Sequence, residues 1–248
     1  MTHFGPIVND VEGMGAVHEL IGGKGSSRWK QLINGMHLTG PWNCIEYVVL
    51  PPGSSCGEHT HRATEEIYYI LAGSAVMHID GERVDVQAGD VITETIGAAH
   101  TIANHGDRDM EMYVIEVFPG DGEAAAPRRL PLGQELEPAA GFRDSSRALR
   151  CRTVDLAPLF SGAWGRFSVL EVPPGAALDT YALDDRDEVL FINRGAARLY
   201  FDGRVVEGVR GLCAGIPPGT PRSVENRSAT EPLELLIAEV FADAGEVA

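Results

Sequence analysis

The sequence repeats its turn residues at a constant spacing of 122 positions, and this repeat constrains the fold more than any other feature. Six residue pairs keep that spacing: Gly53 and Gly175, Glu66 and Glu188, Gly73 and Gly195, Gly89 and Gly211, Gly97 and Gly219, and Asn104 and Asn226. Chance does not align six such positions without a gap, so the chain contains a duplicated domain. Its 248 residues leave about 120 for each copy, which is enough for a domain with its own core.

Each copy has the pattern of an all-β domain. Short stretches rich in Val, Ile, Tyr and Thr are separated by turns that contain Gly. These stretches are residues 44–50, 66–72, 74–80, 82–86, 90–96 and 110–118 in the first copy, and residues 167–172, 188–194, 196–203 and 233–241 in the second. Short strands at close spacing predict a β-sandwich or a β-barrel in each copy.

Composition divides the chain into four segments. We predict an N-terminal arm at residues 1–39, a first domain at 40–118, a linker at 119–147 and a second domain at 148–248. The linker is polar and contains several Pro and Gly residues, which is typical of a connection between domains. The start of the arm belongs to neither copy, and we expect it to pair with the other domain or with a second subunit.

The charge of the chain excludes several classes of partner. The sequence has 36 acidic and 20 basic side chains, and its formal charge is -16. Because such a surface repels phosphate backbones and anionic lipid headgroups, we expect no nucleic-acid and no membrane partner. The chain has no apolar run of the ~18 residues that a membrane span requires and no pattern typical of a secretion signal. Its four cysteines match no zinc module, so we interpret them as reduced thiols of a cytoplasmic protein.

Four side chains of the first copy are candidate metal ligands: His59, His61, Glu66 and His100. His59 and His61 are two positions apart, so both rings point to the same face of an extended strand. Glu66 begins the next apolar stretch and His100 follows Gly97, so a closed barrel can bring the three segments together. Three imidazoles and one carboxylate, with positions left for water or substrate, are typical of a catalytic site for a divalent transition metal.

Two segments of the first copy resemble the motifs of the cupin family. Residues 53–73, GSSCGEHTHRATEEIYYILAG, resemble the first cupin motif, whose spacing selects Glu66 rather than Glu65 as the ligand. Residues 89–104, GDVITETIGAAHTIAN, resemble the second motif, except that Thr95 stands where the family usually has Pro. This difference concerns the stiffness of a turn and leaves the ligand positions intact.

With the repeat, the resemblance covers nearly all of residues 40–118 and 164–241. It implies a bicupin, which is an all-β protein with two tandem cupin barrels of the jelly-roll (double-stranded β-helix) kind. It also implies the identity of the metal ligands, which are His59, His61, Glu66 and His100.

The second copy keeps the glycines and loses the histidines. Tyr181, Leu183 and Arg222 stand at the positions of the three histidines, whereas the carboxylate persists as Glu188. We therefore predict that the second barrel is degenerate and binds no metal. Arg222 is expected to occupy the place of the metal and to pair with Glu188, because a buried carboxylate requires a compensating cation. The alternative is that Arg222 binds an anionic substrate in a second pocket.

Side chains alternate between the two faces of a strand, so the strand that begins at Glu66 predicts further residues around the first site. Tyr68 and Ile70 share its face, so Tyr68 is expected to line the cavity near the metal, where its phenol acts as a catalytic acid or forms an aromatic wall. Glu94 is a candidate for the mouth of the cavity, with its direction undetermined. Glu65 should point away from the barrel interior, toward solvent or the domain interface.

Three classes of function are compatible with these residues. The first, which the open coordination positions favour, is a non-haem metal dioxygenase acting on a small organic metabolite. The second is a redox-neutral, metal-assisted isomerase, lyase, cyclase or decarboxylase. The third is a cupin that binds a small molecule without converting it. We expect one divalent transition metal per chain, with iron favoured over manganese, nickel or zinc, in a monomer or a homodimer.

Overall fold

The computed structural model describes residues 5–133, 136–138 and 149–242. Apart from two short 3-10 turns, Leu20–Gly22 and Gly35–His37, every regular element in these ranges is a β-strand. The predicted all-β class is therefore confirmed. Parts of the predicted arm, linker and second domain lie outside the described residues, namely 1–4, 134–135, 139–148 and 243–248.

The first barrel consists of two antiparallel sheets. The N-terminal strand β1 (Ile7–Asn9) joins the other barrel. The strands of the first barrel are β2 (Gly15–His18), β3 (Ser26–Asn34), β4 (Trp42–Leu50), β5 (Ser55–Thr60), β6 (Glu65–Ala72), β7 (Ser74–Ile79), β8 (Glu82–Gln87), β9 (Val91–Glu94), β10 (Ala99–Ala103), β11 (Met110–Val117) and β12 (Arg128–Leu130). The larger sheet has the order β12-β9-β6-β11-β4-β3-β2, and the smaller sheet has the order β5-β10-β7-β8. Strands β2 and β3, from the segment predicted as an arm, extend the larger sheet beside β4.

The second barrel repeats this arrangement. Its strands are β13 (Glu137–Pro138), β14 (Arg150–Asp155), β15 (Trp164–Val172), β16 (Arg186–Arg194), β17 (Ala196–Phe201), β18 (Arg204–Val209), β19 (Cys213–Ile216), β20 (Arg222–Asn226) and β21 (Leu233–Phe241). The larger sheet has the order β1-β19-β16-β21-β15-β14-β13, and the smaller has the order β18-β17-β20. Isolated bridges from Ala177 to Glu225 and from Tyr181 to Arg222 complete the smaller sheet at its open edge.

The repeated glycines have a steric cause at the hairpins between β6 and β7 and between β16 and β17. Gly73 and Gly195 have φ angles of 78° and 90°, in the left-handed region that L-residues rarely adopt. A Cβ atom at Gly73 would lie 2.7 Å from the carbonyl oxygen of Asp109, and one at Gly195 would lie 2.9 Å from that of Pro232. Both barrels therefore require glycine at the same turn.

Strand β6 shows how the apolar cores are divided. All its residues from Glu65 to Leu71 are buried, although the side chains alternate between two faces. Tyr68 and Ile70 pack into the core of the first barrel, whereas Ile67, Tyr69 and Leu71 belong to a larger cluster shared by both barrels. The interior of the second barrel forms a third cluster. The two barrels thus pack against each other through one shared apolar interface.

The segments predicted as the N-terminal arm and the linker each add an edge strand to a barrel. Strand β1 pairs with β19 of the second barrel, with Val8 opposite Ala214. Strand β12, within the segment predicted as a linker, pairs with β9 of the first barrel, with Arg129 opposite Ile92. The start of the arm, at Ile7–Asn9, therefore pairs with the other domain, which is the first of the two arrangements expected for it, whereas β2 and β3 join the first barrel. The exact boundaries of the four segments stay predictions.

A buried carboxylate of the first barrel binds a loop of the second. Glu65 has no exposed surface, and its two carboxylate oxygens accept hydrogen bonds from the backbone N–H groups of Ser161 (2.7 Å) and Gly162 (2.9 Å) and from Nε1 of Trp164 (3.0 Å). The hydroxyl of Ser161 donates a further hydrogen bond at 2.6 Å. Of the two expected positions for Glu65, solvent or domain interface, the structure shows the interface.

Asp187 makes the reciprocal contact from the second barrel. It accepts hydrogen bonds from the backbone N–H groups of Thr39 (3.0 Å) and Gly40 (2.5 Å) and from Nε1 of Trp42 (3.1 Å). Each of these residues is 122 positions before its counterpart around Glu65, and Asp187 itself is 122 positions after Glu65. The interface thus has an internal two-fold symmetry, and the sequence repeat includes the contacts that join its two halves.

We predict that Glu65→Ala lowers the free energy of unfolding by about 3–5 kcal/mol, because it leaves several buried donors without an acceptor. Glu65→Gln, which keeps one acceptor oxygen, should cost less. The measurement is chemical denaturation followed by tryptophan fluorescence. Glu82→Ala, at an exposed position of β8, is the control and should change stability by less than about 0.5 kcal/mol. An equal effect of Glu65→Ala and Glu82→Ala would contradict the assignment of Glu65 as an interface anchor.

Candidate metal centre

The structure brings together the four side chains predicted to bind a metal. Strands β5 and β10 are hydrogen-bonded neighbours, so His100 lies directly opposite His59. His61 directly follows β5, and Glu66 enters from β6 in the facing sheet. One nitrogen or oxygen from each of the four side chains lies within 4.8 Å of all the others. This group could hold a metal ion, because its members are ligand types of divalent transition metals.

The rings of the two histidines near β5 are held by their outer nitrogen atoms. Nδ1 of His59 donates to the carbonyl oxygen of Gly57 at 2.9 Å, and Nδ1 of His61 lies 2.7 Å from Oγ1 of Thr64. Each ring therefore directs Nε2 toward the centre. Metal-binding histidines are commonly oriented in this way by a partner on the other ring nitrogen. Gly57 and Thr64 were not predicted from the sequence, because nothing in a ligand motif identifies the groups that orient it.

Glu66 is 3% exposed and faces two imidazoles. Its Oε2 atom lies 3.0 Å from Nε2 of His61 and 3.6 Å from Nε2 of His100, yet it accepts no hydrogen bond within the described residues. A buried carboxylate oxygen without a donor is costly, and a cation between these atoms would remove that cost. The four side chains therefore fit a divalent metal ion in both chemistry and placement.

Burial shifts the pKa values of His100 and Glu66 so that the neutral form of each is favoured. It lowers the pKa of His100 to about 3, with the neighbouring His59 and His61 contributing. It also raises the pKa of Glu66, and the nearby charge of Glu116 adds to this effect. The imidazole of His100 is thus neutral, as metal binding requires, while the carboxyl group of Glu66 needs a cation to remain ionised.

Tyr68 lies beside the centre, as predicted from the alternation of side chains along β6. Its side chain is 3% exposed, and its hydroxyl oxygen lies 3.0 Å from Nε2 of His100. Burial raises the pKa of Tyr68, and the charge of Glu66 raises it further, so the phenol stays protonated. It can therefore donate a hydrogen bond or a proton and cannot serve as a resident base.

Glu94 lies behind the centre and not at the mouth of the cavity, which corrects the prediction for this residue. It is 1% exposed on β9, directly opposite Glu66 of β6, and its Oε2 atom is 3.7 Å from Nδ1 of His100. Burial raises the pKa of Glu94 to about 8, with a smaller effect of Asp80. The register of β9 against β6 places Glu94 on the same inner face of the sheet as Glu66.

A cavity of about 220 Å³ opens at the centre. It is bounded by His59, His61, Glu66 and Tyr68, by Leu20, Ile21 and Trp29 from the N-terminal segment, by the carboxylates Glu46 and Glu116, and by Val48, Cys56, Met112 and Val114. Sequence reasoning missed Glu46 and Glu116. A signal for them exists, because both are charged residues at inward positions of otherwise apolar stretches, on β4 and β11.

A second group of potential ligands is formed by Cys44, Glu46 and Glu116, whose side-chain atoms also lie within 4.8 Å of one another. Burial raises the pKa of the Cys44 thiol, and the charges of Glu46 and Glu116 raise it further. The thiol is therefore protonated, whereas a cysteine binds metal as the thiolate. We assign no metal to this group.

The second barrel contains the expected ion pair at the position of the centre. Nε of Arg222 donates to Oε1 of Glu188 at 2.9 Å, and the hydroxyl of Tyr181 donates to the same oxygen at 2.6 Å. The guanidinium carbon of Arg222 lies 4.8 Å from the centre of the Tyr181 ring. Because Arg222 is 1% exposed and Glu188 is fully buried, the pair balances charge inside the barrel. This burial favours the structural role of Arg222 over the alternative of an anion-binding pocket.

Comparison with known proteins identifies the family. The family model for the cupin domain matches residues 46–116 and 168–239, which together exceed half of the chain. The chain belongs to the cupin family. Both repeats match, so the predicted bicupin is confirmed.

One relative among curated cupins and two solved structures illustrate the similarity. The oxalate-binding protein of Thermotoga maritima is 36% identical over 102 residues, which are 41% of this chain and 84% of that protein. Protein Ylba from E. coli has a TM-score of 0.75 at 12% identity, with 97% of this chain and 92% of that chain covered. Oxalate decarboxylase from Bacillus subtilis has a TM-score of 0.70 at 18% identity, with 96% and 76% covered. At such low identity, the two structures show a shared double-barrel fold and nothing about activity.

Within the described part of the chain, no helix has the length and apolar character needed to cross a membrane.

We predict that Arg222→Met lowers the free energy of unfolding by about 3–5 kcal/mol, because it leaves the buried carboxylate of Glu188 without its cation. The double variant Arg222→Met/Glu188→Gln should recover more than half of the loss, since both charges are then removed. Thermal and chemical denaturation measure the effect. Arg204→Met, whose side chain is 62% exposed, is the control. A fully stable single variant would refute the charge-balancing role of Arg222.

Proposed function

We propose that the first barrel binds one divalent transition metal through His59, His61, Glu66 and His100, and that the protein is an enzyme acting on a small organic molecule at this metal. The observation that carries the proposal is the buried Oε2 atom of Glu66, which faces two imidazole nitrogens and has no hydrogen-bond donor. A structural ion pair resolves the same problem in the second barrel, at Arg222 and Glu188. The first barrel has no arginine or lysine in that position and instead keeps a complete ligand set.

The site has the features of a catalytic centre in addition to those of a metal store. Four protein ligands leave positions free on a metal of octahedral preference, and the cavity of about 220 Å³ gives a small molecule access to them. When bound, the metal supplies Lewis-acid or redox chemistry. Tyr68 contributes a protonated hydroxyl next to His100, where it can orient a substrate oxygen or deliver a proton.

For the type of reaction, we favour iron and dioxygen chemistry, because three imidazoles and one carboxylate leave adjacent positions for dioxygen and a substrate. A redox-neutral lyase, isomerase, cyclase or decarboxylase is the second candidate, and the protonated Tyr68 beside the centre supports it. Among the similar proteins, the Thermotoga maritima relative is named for binding oxalate, and the oxalate decarboxylase of Bacillus subtilis has Mn(II) centres. Both names agree with a small ligand and a divalent metal, and manganese therefore stands beside iron in the tests below.

The proposed function makes a prediction about the metal content of the protein. Protein purified anaerobically without added metal should contain about one transition-metal ion per chain, and His59→Ala should lose it, because one of the four ligands is removed. Elemental analysis by mass spectrometry measures the metal. His78→Ala, at an exposed histidine of β7, is the matched control and should keep the full metal content.

Each other result has a definite meaning. Two metals per chain would refute the claim that the second barrel binds none. Equal metal content in His59→Ala and in the wild type would place the metal elsewhere. Wild-type protein that contains no metal and takes up neither iron, manganese, nickel nor zinc would refute the proposed enzyme.

The proposed function also makes a prediction about the role of Tyr68 in turnover. Tyr68→Phe should keep the metal, because the ligands are unchanged, and should lower turnover by about 10²-fold through the loss of one proton donor. Turnover is measured by incubating metal-loaded protein with a panel of small oxygen-chelating metabolites, with and without dioxygen, and following them by mass spectrometry. Conversion that requires dioxygen supports the dioxygenase, and full-rate anaerobic conversion supports the redox-neutral alternative. An unchanged rate in Tyr68→Phe would show that Tyr68 only forms a wall.

A further inference from the structure

The inner face of the first barrel carries an unusual row of carboxylates. Glu94, Glu66 and Glu116 lie directly opposite one another on the adjacent strands β9, β6 and β11. Glu46 lies on the next strand, β4, and lines the cavity together with Glu66 and Glu116. Like charges on directly opposite strand positions destabilise a sheet unless a positive charge lies between them. The row therefore requires compensation from something other than its own members.

The second barrel shows what such compensation looks like inside this same chain. There, Glu188 lies opposite Glu239, as Glu66 lies opposite Glu116 in the first barrel. Glu188 pairs with Arg222, and Glu239 pairs with the arginines at 166 and 186. The position of Glu94 is taken by Ile216, which faces Glu188 in the same register. Each remaining carboxylate of that row thus has an arginine.

In the described part of the first barrel, no arginine or lysine forms an ion pair with a carboxylate of the row. None of the described residues that line its cavity is an arginine or a lysine. The contacts of the two cavity carboxylates are with uncharged side chains: Nδ2 of Asn43 donates to Glu116 at 2.7 Å, and the Cys44 thiol lies 3.6 Å from Glu46. A divalent metal at the four ligands offsets two negative charges. Burial raises the pKa of Glu94 to about 8, so its carboxyl group is largely neutral at neutral pH. Glu46 and Glu116, which both face the cavity, then together keep one negative charge without a positive partner.

We propose that Glu46 and Glu116 form an acidic wall that selects a small substrate with a protonated amine opposite its metal-binding oxygen. The inference rests on the proposed metal site and specifies the class of substrate that this site takes. An ammonium group between the two carboxylates would supply the missing positive charge and would donate hydrogen bonds to both. The same wall repels a dianion such as a dicarboxylate, because no cationic side chain of the cavity offsets its charge. The size of the cavity, about 220 Å³, restricts the substrate to a small molecule.

The test compares three probes that share one metal-chelating group and differ only in the group at the other end. They are β-alanine hydroxamate with an ammonium end, butyrohydroxamate with a methyl end, and succinate monohydroxamate with a carboxylate end. Binding to metal-loaded protein is measured by calorimetry at neutral pH. We expect the ammonium probe to bind at least about tenfold more tightly than the methyl probe, and the carboxylate probe to bind most weakly.

Variants assign the preference to the two carboxylates. E46Q, E116Q and their double variant should reduce the advantage of the ammonium probe toward unity while the binding of the methyl probe stays within about twofold of the wild type. E82Q, on the exposed face of β8, is the matched control and should leave all three affinities unchanged. The methyl probe also serves as the check that a variant is folded and metal-loaded.

The outcomes separate this inference from the proposed function. One possible result is that His59→Ala abolishes the binding of the probes, but the ammonium probe binds no more tightly than the methyl probe. In that case the metal site stands and the acidic wall is refuted. An ammonium preference that survives the double variant would also refute it. If no probe binds to protein that has been offered metal, both the proposed function and the inference fail.

Discussion

Two buried carboxylates, Glu65 and Asp187, hold the barrels together, and the placement of the candidate metal centre depends on this contact. Each accepts hydrogen bonds from backbone N–H groups and from a tryptophan of the other barrel, so separation would leave several buried donors unpaired. Glu65 directly precedes Glu66 on β6. Strand β6 therefore contacts the other barrel with one face and presents Glu66, the candidate carboxylate ligand, on the opposite face. The interface thus helps to fix where Glu66 lies.

A second constraint is the charge balance inside each barrel. Both barrels place one glutamate of the larger sheet at the same interior position, Glu66 in the first and Glu188 in the second. The second barrel neutralises it with Arg222, whose guanidinium is buried against the carboxylate. The first barrel surrounds it with imidazoles and with further carboxylates and leaves a cavity. Duplication thus produced one barrel whose buried glutamate is paired with an arginine and one whose neutrality, by our two proposals, requires a metal ion and a cationic ligand.

Much of this could be predicted from the sequence, because it depends on the type and the spacing of neighbouring residues. The spacing of His59, His61, Glu66 and His100 identified a ligand group, and the replacement of the three histidines in the second copy predicted the Arg222–Glu188 pair. Other contacts could not be predicted in this way. Glu94 was a candidate for the mouth with its direction undetermined, and the register of β9 against β6 places it in the interior, behind His100.

The sequence by itself determined the duplication, the all-β class, the family and the group of candidate ligands. These properties follow from periodicity and from motifs that lie within short stretches of chain. Only the tertiary structure decided that Glu65 joins the two barrels and that Glu46 and Glu116 face the candidate metal centre. The physical reason is that these relations depend on which distant strands become neighbours and in which register. A shift of one residue in the register of a strand moves each of its side chains to the opposite face of the sheet. Only the pairing of the complete sheets determines that register.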